Sequence, residues 1–472
     1  MPIRVFKNPG FTTPIRLGIS SYSGRQAGIS IGPFSRQRYT TTKAVLRPNI
    51  AVVGGGHGGI SVALRLVTMP WTRLTKPKIT LIDKSPRFCF LPMLYELALG
   101  QVEQWEIAPK FEDLLQDTTI DFIHGEVQKL DLEGNSVEGI RLGGNHGNDF
   151  RLPFDRVVLA LGSQPFNLSS VPGADEFAMP FHTLSNANSL KLKLNELRAK
   201  KRKGDVINVI VVGAGFSGVE LSSCLAEGLG SAGSVLLVEP SDKILARGTG
   251  FNRITSERAL ITSGVFVEYH SRVSRITERS VEILKETEND NEDRDYPYDI
   301  VIWTAGSAPN SLQSKFGLPT DSRGRIVTDS MLQVEGHPDH VYALGDGAST
   351  PSSDGYYGTA QVAVQQAEYV AWNAWASLTD NPKLRYNYTH LGEMMVLGSA
   401  NASVTTTPGV ELDGRLAWAT RRLAYLARMP TDNHRAKVAA SWAAHPLLTR
   451  MENVVKSNVG ADTFRSESTF GS

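Results

Sequence analysis

Short apolar runs alternate with stretches of helical periodicity along most of this 472-residue chain. Ile50-Ala51-Val52-Val53 is followed by glycines, then by apolar positions at helical spacing from Ile60 to Val67, then by Ile79-Thr80-Leu81-Ile82. The same phrase returns at Val209-Ile210-Val211-Val212, a glycine turn, and Val235-Leu236-Leu237-Val238. Unbroken apolar runs of this length, separated by helical segments, predict parallel strands covered on both faces. Glu96 to Leu115 has helical periodicity. Two further strands, Val157-Val158-Leu159-Ala160 and Val301-Ile302-Trp303-Thr304, end in small-residue turns at Gly162-Ser163-Gln164-Pro165 and Ala305-Gly306-Ser307-Ala308-Pro309. These turns mark where the chain passes between two units. Val341-Tyr342-Ala343-Leu344 ends in Gly345-Asp346, and a helix is predicted through Thr359 to Glu368.

The fold class expected is α/β, with two Rossmann-like dinucleotide-binding domains and a C-terminal membrane-associating helical segment. The first unit is expected over residues 48–165 and 320–389, with the second, 166–319, inserted into it. Residues 390–472 form a C-terminal region, and 1–47 a separate leader.

The glycine turns carry the chemistry. Gly54-x-Gly56-x-x-Gly59 and Gly213-x-Gly215-x-x-Gly218 each follow a predicted strand and open a helix. The first glycine makes the tight turn, the second lets backbone approach a pyrophosphate, and the third lets helix and strand pack closely. Asp83 and Glu239 close the second strand of each unit, 24 and 21 residues past the last glycine, where an acid can grip ribose hydroxyls. Two complete fingerprints imply two dinucleotides meeting, a flavin and a nicotinamide. Asp346, after both fingerprints, is placed to accept hydrogen bonds from a flavin's ribityl chain, with Gly162, Gly306 and Ala360 on neighbouring turns. Gln361 and Gln365, four apart, share a helical face that could meet the flavin ring.

Composition narrows the field. A net charge of +1 gives no reason to expect nucleic acid as a partner. Cys89 and Cys224 are the only cysteines and form no CxxC pair, which disfavours dithiol redox chemistry. Lys285 to Asp299 is acidic but lacks the mid-loop glycine and terminal Glu of a calcium loop; it reads as a solvated hairpin loop. Residues 1–47 hold eight Lys/Arg, ten Ser/Thr and no acid, the composition of an organellar transit peptide, with Arg38-Tyr39-Thr40 resembling a processing site. Mitochondrion and chloroplast both remain open. From Arg415 to Arg450 there are seven Lys/Arg and one acid, Asp432. Leu416, Leu423, Tyr425, Leu426 and Met429 alternate there with Arg415, Arg421, Arg422 and Arg428, and Trp418 and Trp442 add aromatics. Such a helix can lie in the headgroup plane of an anionic membrane. A domain-closing helix with solvated arginines is the other reading.

Taken together these residues resemble the type II NAD(P)H:quinone oxidoreductases, single-chain flavoenzymes that do not pump protons. The likeness runs from about residue 48 to about 455. It rests on both fingerprints, Phe90-Leu91-Pro92-Met93-Leu94-Tyr95-Glu96, Gly218-Val219-Glu220-Leu221, Leu344-Gly345-Asp346 and Ala360-Gln361-x-x-x-Gln365-Gln366. Trp105-Glu106-Ile107-Ala108-Pro109, Leu391-Gly392-Glu393-Met394-Met395 and Arg422-Leu423-Ala424-Tyr425-Leu426 are similar to the plant and algal C-type branch. The resemblance implies FAD in the first unit, NADH or NADPH in the second, and a membrane quinone as acceptor at a peripheral, organellar membrane site, with a homodimer as a further possibility. It implies catalytic roles for Glu220 near the nicotinamide–flavin contact and for Gln361 and Gln365 on the quinone side. Some relatives carry His where this chain has Val364, so a His relay at that position is excluded. Glu239 should repel a 2′-phosphate and favour NADH, whereas the C-type likeness implies tolerance of NADPH. Sulfide:quinone reduction, a ferredoxin or rubredoxin reductase, and a non-catalytic signalling flavoprotein are the competing readings.

Overall fold

The computed structural model describes residues 47–444, apart from 144–147, 166–167, 203, 287–290, 338, 352–357 and 408. The expected leader and its expected processing site therefore lie outside the described residues.

The first apolar run becomes the strand Asn49–Val53, at the centre of a seven-stranded sheet. It pairs in parallel with Lys78–Asp83 on one side and Arg156–Leu159 on the other, placing Val53 opposite both Ile82 and Leu159. Val341–Ala343 extends the sheet beyond Arg156–Leu159, and Ile120–Asp131 extends it beyond Lys78–Asp83. Ile120–Asp131 is 12 residues long, so its far half also starts an antiparallel meander with Ser136–Arg141 and Asp149–Pro153. The helix His57–Val67 crosses from the first to the second strand. Its buried stripe, Ile60, Val62, Ala63 and Leu66, recurs at i, i+2, i+3 and i+6 and packs against the long helix Ala360–Thr379. Each large side chain of that stripe contributes about 1.5–3 kcal/mol of burial.

The second apolar phrase builds a separate five-stranded parallel sheet, ordered Phe266–Glu268, Gly233–Val238, Ile207–Val212, Ile300–Trp303, Ala178–Pro180. Ile300–Trp303 is buried at every residue, which explains its unbroken apolar sequence. The two small-residue turns meet each other. Ser163–Pro165 and Ser307–Pro309 pair antiparallel, so the chain's outward and return passages form one short ribbon.

Three regions differ from expectation. Glu96 to Leu115 is not one helix but three short ones, Leu94–Ala98, Gln104–Ile107 and Phe111–Leu115, interrupted near Gly100 and Pro109. The acidic segment from Lys285 to Asp299, expected as a hairpin loop, is largely the strand Asn291–Pro297, paired antiparallel with Ser280–Glu286, which Ser271–Ile276 flanks on its other side; residues 287–290 lie outside the described residues. Before its helices, the C-terminal region forms a three-stranded antiparallel sheet, Gly392–Val396, Ala402–Thr406 and Glu411–Asp413. This sheet grips the helix Gly250–Ser263: the Thr249 N–H and Asn252 Nδ2 both donate to Glu393 Oε2 at 3.0 Å, and Ser403 Oγ donates to Asn252 Oδ1. A helix, Gly414–Arg428, then turns into a second helical stretch over 432–444.

Candidate active site

The two glycine turns are near copies. Gly54 and Gly213 have φ of +99° and +96°, a backbone that disfavours any side chain. A Cβ on Gly59 would fall 1.7 Å from the Gly54 carbonyl oxygen, and one on Gly218 would fall 1.8 Å from that of Gly213. The first and third glycines of each turn are thus required by the protein itself. The middle ones are not: a Cβ on Gly56 or Gly215 would meet nothing within 4 Å. Their backbones are extended, φ −66° and −71°, which any residue adopts. Open space over the middle glycine, at a helix N-terminus, is a cradle that a Cβ would fill. It fits a dinucleotide pyrophosphate in both units.

Asp83 and Glu239 stand beside these turns in matching ways. Asp83 Oδ2 accepts from the Gly55 N–H (2.5 Å) and Oδ1 from the Ser85 N–H (2.7 Å). Glu239 Oε2 accepts from the Ala214 N–H (2.8 Å) and Oε1 from the Ser241 N–H (3.0 Å). Each acid therefore ties the glycine turn to the end of the neighbouring strand, and each oxygen keeps acceptor capacity for another donor. Burial raises the Asp83 carboxyl above its usual range, against the opposing pull of these two amides.

Asp346 lies in the short 3-10 turn Gly345–Gly347, after the strand that extends the first sheet. Its Oδ2 accepts from Ser163 Oγ at 2.9 Å, which joins it to the Gly162 turn. Gly162 and Gly306 both have positive φ, and Gly162 also faces open space. Ala360 opens the long helix, capped by Thr359, whose hydroxyl accepts from the Val362 N–H. The glutamine that reaches this turn is Gln366: its buried Oε1 accepts from the Gly345 N–H at 2.7 Å. Gln361 and Gln365, expected on the quinone side, engage a different segment. Both of those hold the segment 388–392. Gln361 Oε1 accepts from Tyr388 Oη (2.7 Å) and the Leu391 N–H (3.0 Å), while its Nε2 donates to the Gly392 carbonyl. Gln365 exchanges two hydrogen bonds with the Thr389 backbone.

Glu220 lies on the helix that starts at the second glycine turn and is 6% exposed. Its Oε1 accepts from the Val396 N–H at 2.9 Å. Burial is the main cause that raises its carboxyl to about 7; Glu96 pushes the same way, against Arg421 and the Val396 amide. Gln361 and Glu220 therefore touch opposite ends of one strand, Gly392 and Val396, about 13 Å apart along an extended chain. Tyr95, stacked on Phe181 at 5.6 Å, sits beside Glu220 with its hydroxyl 3.3 Å from Ser217. Burial pushes the Cys89 thiol up to about 12 and raises that of Cys224 as well, so neither is poised as a thiolate.

The C-terminal helices correct one expectation. Arg421 does not face outward: it is wholly buried, paired to Glu96 at 2.6 Å, with Nη2 donating to the Pro92 carbonyl at 2.8 Å. Arg422 is sandwiched between Trp418 (5.2 Å) and Trp442 (4.6 Å). His434 Nε2 meets the Glu106 carbonyl at 2.8 Å, and Ser441 Oγ donates to the Glu106 carboxylate. One face therefore packs inward through charged groups whose partners lie some 330 residues back in the chain. Leu416 (64% exposed) and Leu423 (68%) point the other way, with Arg415 and Arg428 also exposed. No helix among the described residues is long and apolar enough to cross a membrane.

Comparison with known proteins agrees with this architecture. The pyridine nucleotide-disulphide oxidoreductase family model matches residues 48–367. The chain is 40% identical to the alternative NAD(P)H-ubiquinone oxidoreductase C1, chloroplastic/mitochondrial, of Arabidopsis thaliana, over 84% of this chain and 81% of that protein. It is 38% identical to the demethylphylloquinone reductase NdbB of Synechocystis, over 86% and 98%. Among solved structures, NDH2 from Plasmodium falciparum in complex with NADH shares the fold, with a TM-score of 0.74 at 18% identity, over 84% of this chain and 98% of that one. The chain belongs to the pyridine nucleotide-disulphide oxidoreductase family, in its branch of type II, or alternative, NAD(P)H:quinone oxidoreductases.

Proposed function

We propose that this chain is a non-proton-pumping NAD(P)H:quinone oxidoreductase, with FAD held in the first unit and the nicotinamide cofactor in the second. The observation that carries the reading is the pair of glycine turns, each built around a middle glycine that faces open space. Bound FAD would supply the redox step, accepting hydride from the nicotinamide and delivering two electrons to the quinone. The chain's own residues hold, orient and protonate. In the first unit, Gly54, Gly56 and Gly59 receive the pyrophosphate, Asp83 a ribose, and Asp346, fixed by Ser163, the ribityl hydroxyls. Gly213, Gly215, Gly218 and Glu239 do the same for the nicotinamide cofactor, and the negative charge of Glu239 favours NADH over its 2′-phosphorylated form. The first unit spans 48–165 and 320–389, and the second 166–319, with the ribbon of Ser163–Pro165 and Ser307–Pro309 at the junction.

Reducing a quinone to a quinol with NAD(P)H consumes one further proton. Glu220 is the group suited to deliver it, being buried and titrating near neutrality. Gln361 and Gln365 shape the acceptor side by fixing the segment 388–392. Leu416 and Leu423, flanked by Arg415 and Arg428, form the face that would rest on an anionic organellar membrane and bring the site to a lipid-dissolved quinone. The test is steady-state turnover of the purified, FAD-loaded chain with NADH and with NADPH, against ubiquinone, plastoquinone and naphthoquinone analogues. Rapid quinone reduction is expected. Negligible quinone reduction alongside rapid reduction of an iron–sulfur protein would overturn the reading.

A further inference from the structure

Beneath the C-terminal helix lie two buried carboxylates and one buried guanidinium that pairs with only one of them. Arg421 and Glu96 have side-chain exposures of 0% and 1% and make two contacts, at 2.6 and 3.5 Å. Among the described residues Glu220 has no such charged partner; its Oε1 accepts from the neutral Val396 N–H, and the Tyr95 hydroxyl faces its carboxyl. The groups that face Glu220 come from three elements. Tyr95 and Glu96 lie on the segment Leu94–Ala98, and Arg421 and Tyr425 on the C-terminal helix. Cys224, on its own helix, also lies beside it, as does Ser217, which accepts from the Tyr95 hydroxyl.

One guanidinium can neutralise one carboxylate. A buried carboxylate without a counter-ion holds its proton well above the usual range, whereas one beside an unshared guanidinium stays ionised. Among the described residues the buried Nε of Arg421 has no hydrogen-bond partner. Arg421 also acts through space on Glu220, pulling its carboxyl down against burial, so its charge is shared between the two acids and held mainly by Glu96. We propose that Glu96 is a positioning residue for the reaction: by engaging Arg421 it denies Glu220 a counter-ion and so keeps Glu220 able to take up and release a proton. This rests on the reading of Glu220 as the proton donor to the acceptor. The donated proton leaves Glu220 ionised, and solvent returns it before the next turnover.

Glu96→Gln preserves the shape of the side chain and removes its charge. The measurement is a pH titration of the protonated-carboxyl infrared band that Glu220→Gln abolishes, in the FAD-loaded full chain. The midpoint should fall by about one pH unit or more in Glu96→Gln, a tenfold or larger change in the protonation equilibrium. In Glu96→Gln/Arg421→Gln, which removes both charges, it should return towards the wild-type value. This second variant keeps the test open if the single one folds poorly. An unmoved midpoint in Glu96→Gln, or in the double variant a midpoint as low as that expected of the single one, overturns the proposal. The pH profile of quinone reduction separates this from the underlying reading. If the band moves and the profile does not, the competition for Arg421 stands and Glu220 is not the reaction's donor.

Discussion

The middle glycines provide a prediction in which stability and binding move in opposite directions. Gly56 has φ −66° and ψ −169°, and Gly215 has φ −71° and ψ −173°, both accessible to alanine. An added Cβ at either position meets no protein atom within 4 Å. Replacing glycine by alanine at such a site narrows the unfolded ensemble and stabilises a protein by about 0.4–1 kcal/mol. The apoprotein of Gly56→Ala should therefore melt no lower than wild type, and about 1 °C higher if the gain is realised. The same methyl group projects into the space assigned to a pyrophosphate. Overpacking of about 1–3 kcal/mol there weakens FAD binding roughly 5- to 150-fold. Gly215→Ala should leave FAD bound and weaken the nicotinamide cofactor by a similar factor. By contrast, Gly59→Ala would put its Cβ 1.7 Å from a backbone oxygen and should impair folding itself. The assays are differential scanning fluorimetry of apoprotein and the flavin absorbance retained after dialysis. A Gly56→Ala apoprotein that melts several degrees low, or that holds FAD as wild type does, refutes the reasoning. Swapped phenotypes would reverse the assignment of cofactors to units.

Further tests follow from individual side chains. Glu239→Gln should raise the kcat/KM ratio of NADPH to NADH; it should also cost about 1–3 kcal/mol, because one amide oxygen cannot replace two acceptors facing Ala214 and Ser241. An unchanged ratio removes Glu239 from cofactor selection. His57 lies between Phe88 and Phe90, and burial lowers its imidazole to about 4, so the folded chain binds fewer protons than the unfolded one between pH 4 and 6.5. Stability should fall as pH drops through that window, by about 3 kcal/mol in total, and His57→Phe should flatten that part of the pH–stability curve. If the face of Leu416 and Leu423 rests on a membrane as proposed, Arg415→Gln and Arg428→Gln should each weaken co-sedimentation with anionic liposomes by about 1 kcal/mol at low salt. Leu416→Asp with Leu423→Asp should abolish it, and undiminished binding would place the attachment elsewhere.

The fold was legible because its signals are local. An apolar run, a glycine turn and an acid lie within some 35 residues of each other in each unit, and each piece constrains the next. The small-residue turns at Gly162 and Gly306 stand out in the sequence as a recurring phrase, and the two turns do pair. What the sequence does not show depends on distant partners. Arg421 and Arg422 read as interfacial because a charged residue on an amphipathic helix is usually solvated, and nothing near them in sequence reveals Glu96 or Trp442. The contact of Gln366 with the Gly345 turn is not legible in the sequence because one residue turns a helix by about 100°, and which face meets that turn is decided by packing against His57–Val67. The sheet of Gly392–Val396 with Ala402–Thr406 escaped notice because its strands are five residues long and alternate only weakly.

The pairing of Arg421 with Glu96 also sets an order of events in the making of the protein. The two residues are 325 positions apart, and Glu106 receives Ser441 335 positions later. At roughly 5–20 residues per second, a ribosome needs roughly 15–65 s to supply Arg421 after Glu96. Throughout that interval Glu96 lacks the guanidinium that pairs with it, and Glu106 keeps only its local bond from the Glu103 N–H. A chain broken off before the last helices would leave this flank unsealed, with Phe90 stripped of the Tyr425 ring that packs on it and Glu96 of its guanidinium. The final thirty described residues thus act as a seal on the whole molecule, and completeness of synthesis is read out as closure of its interior.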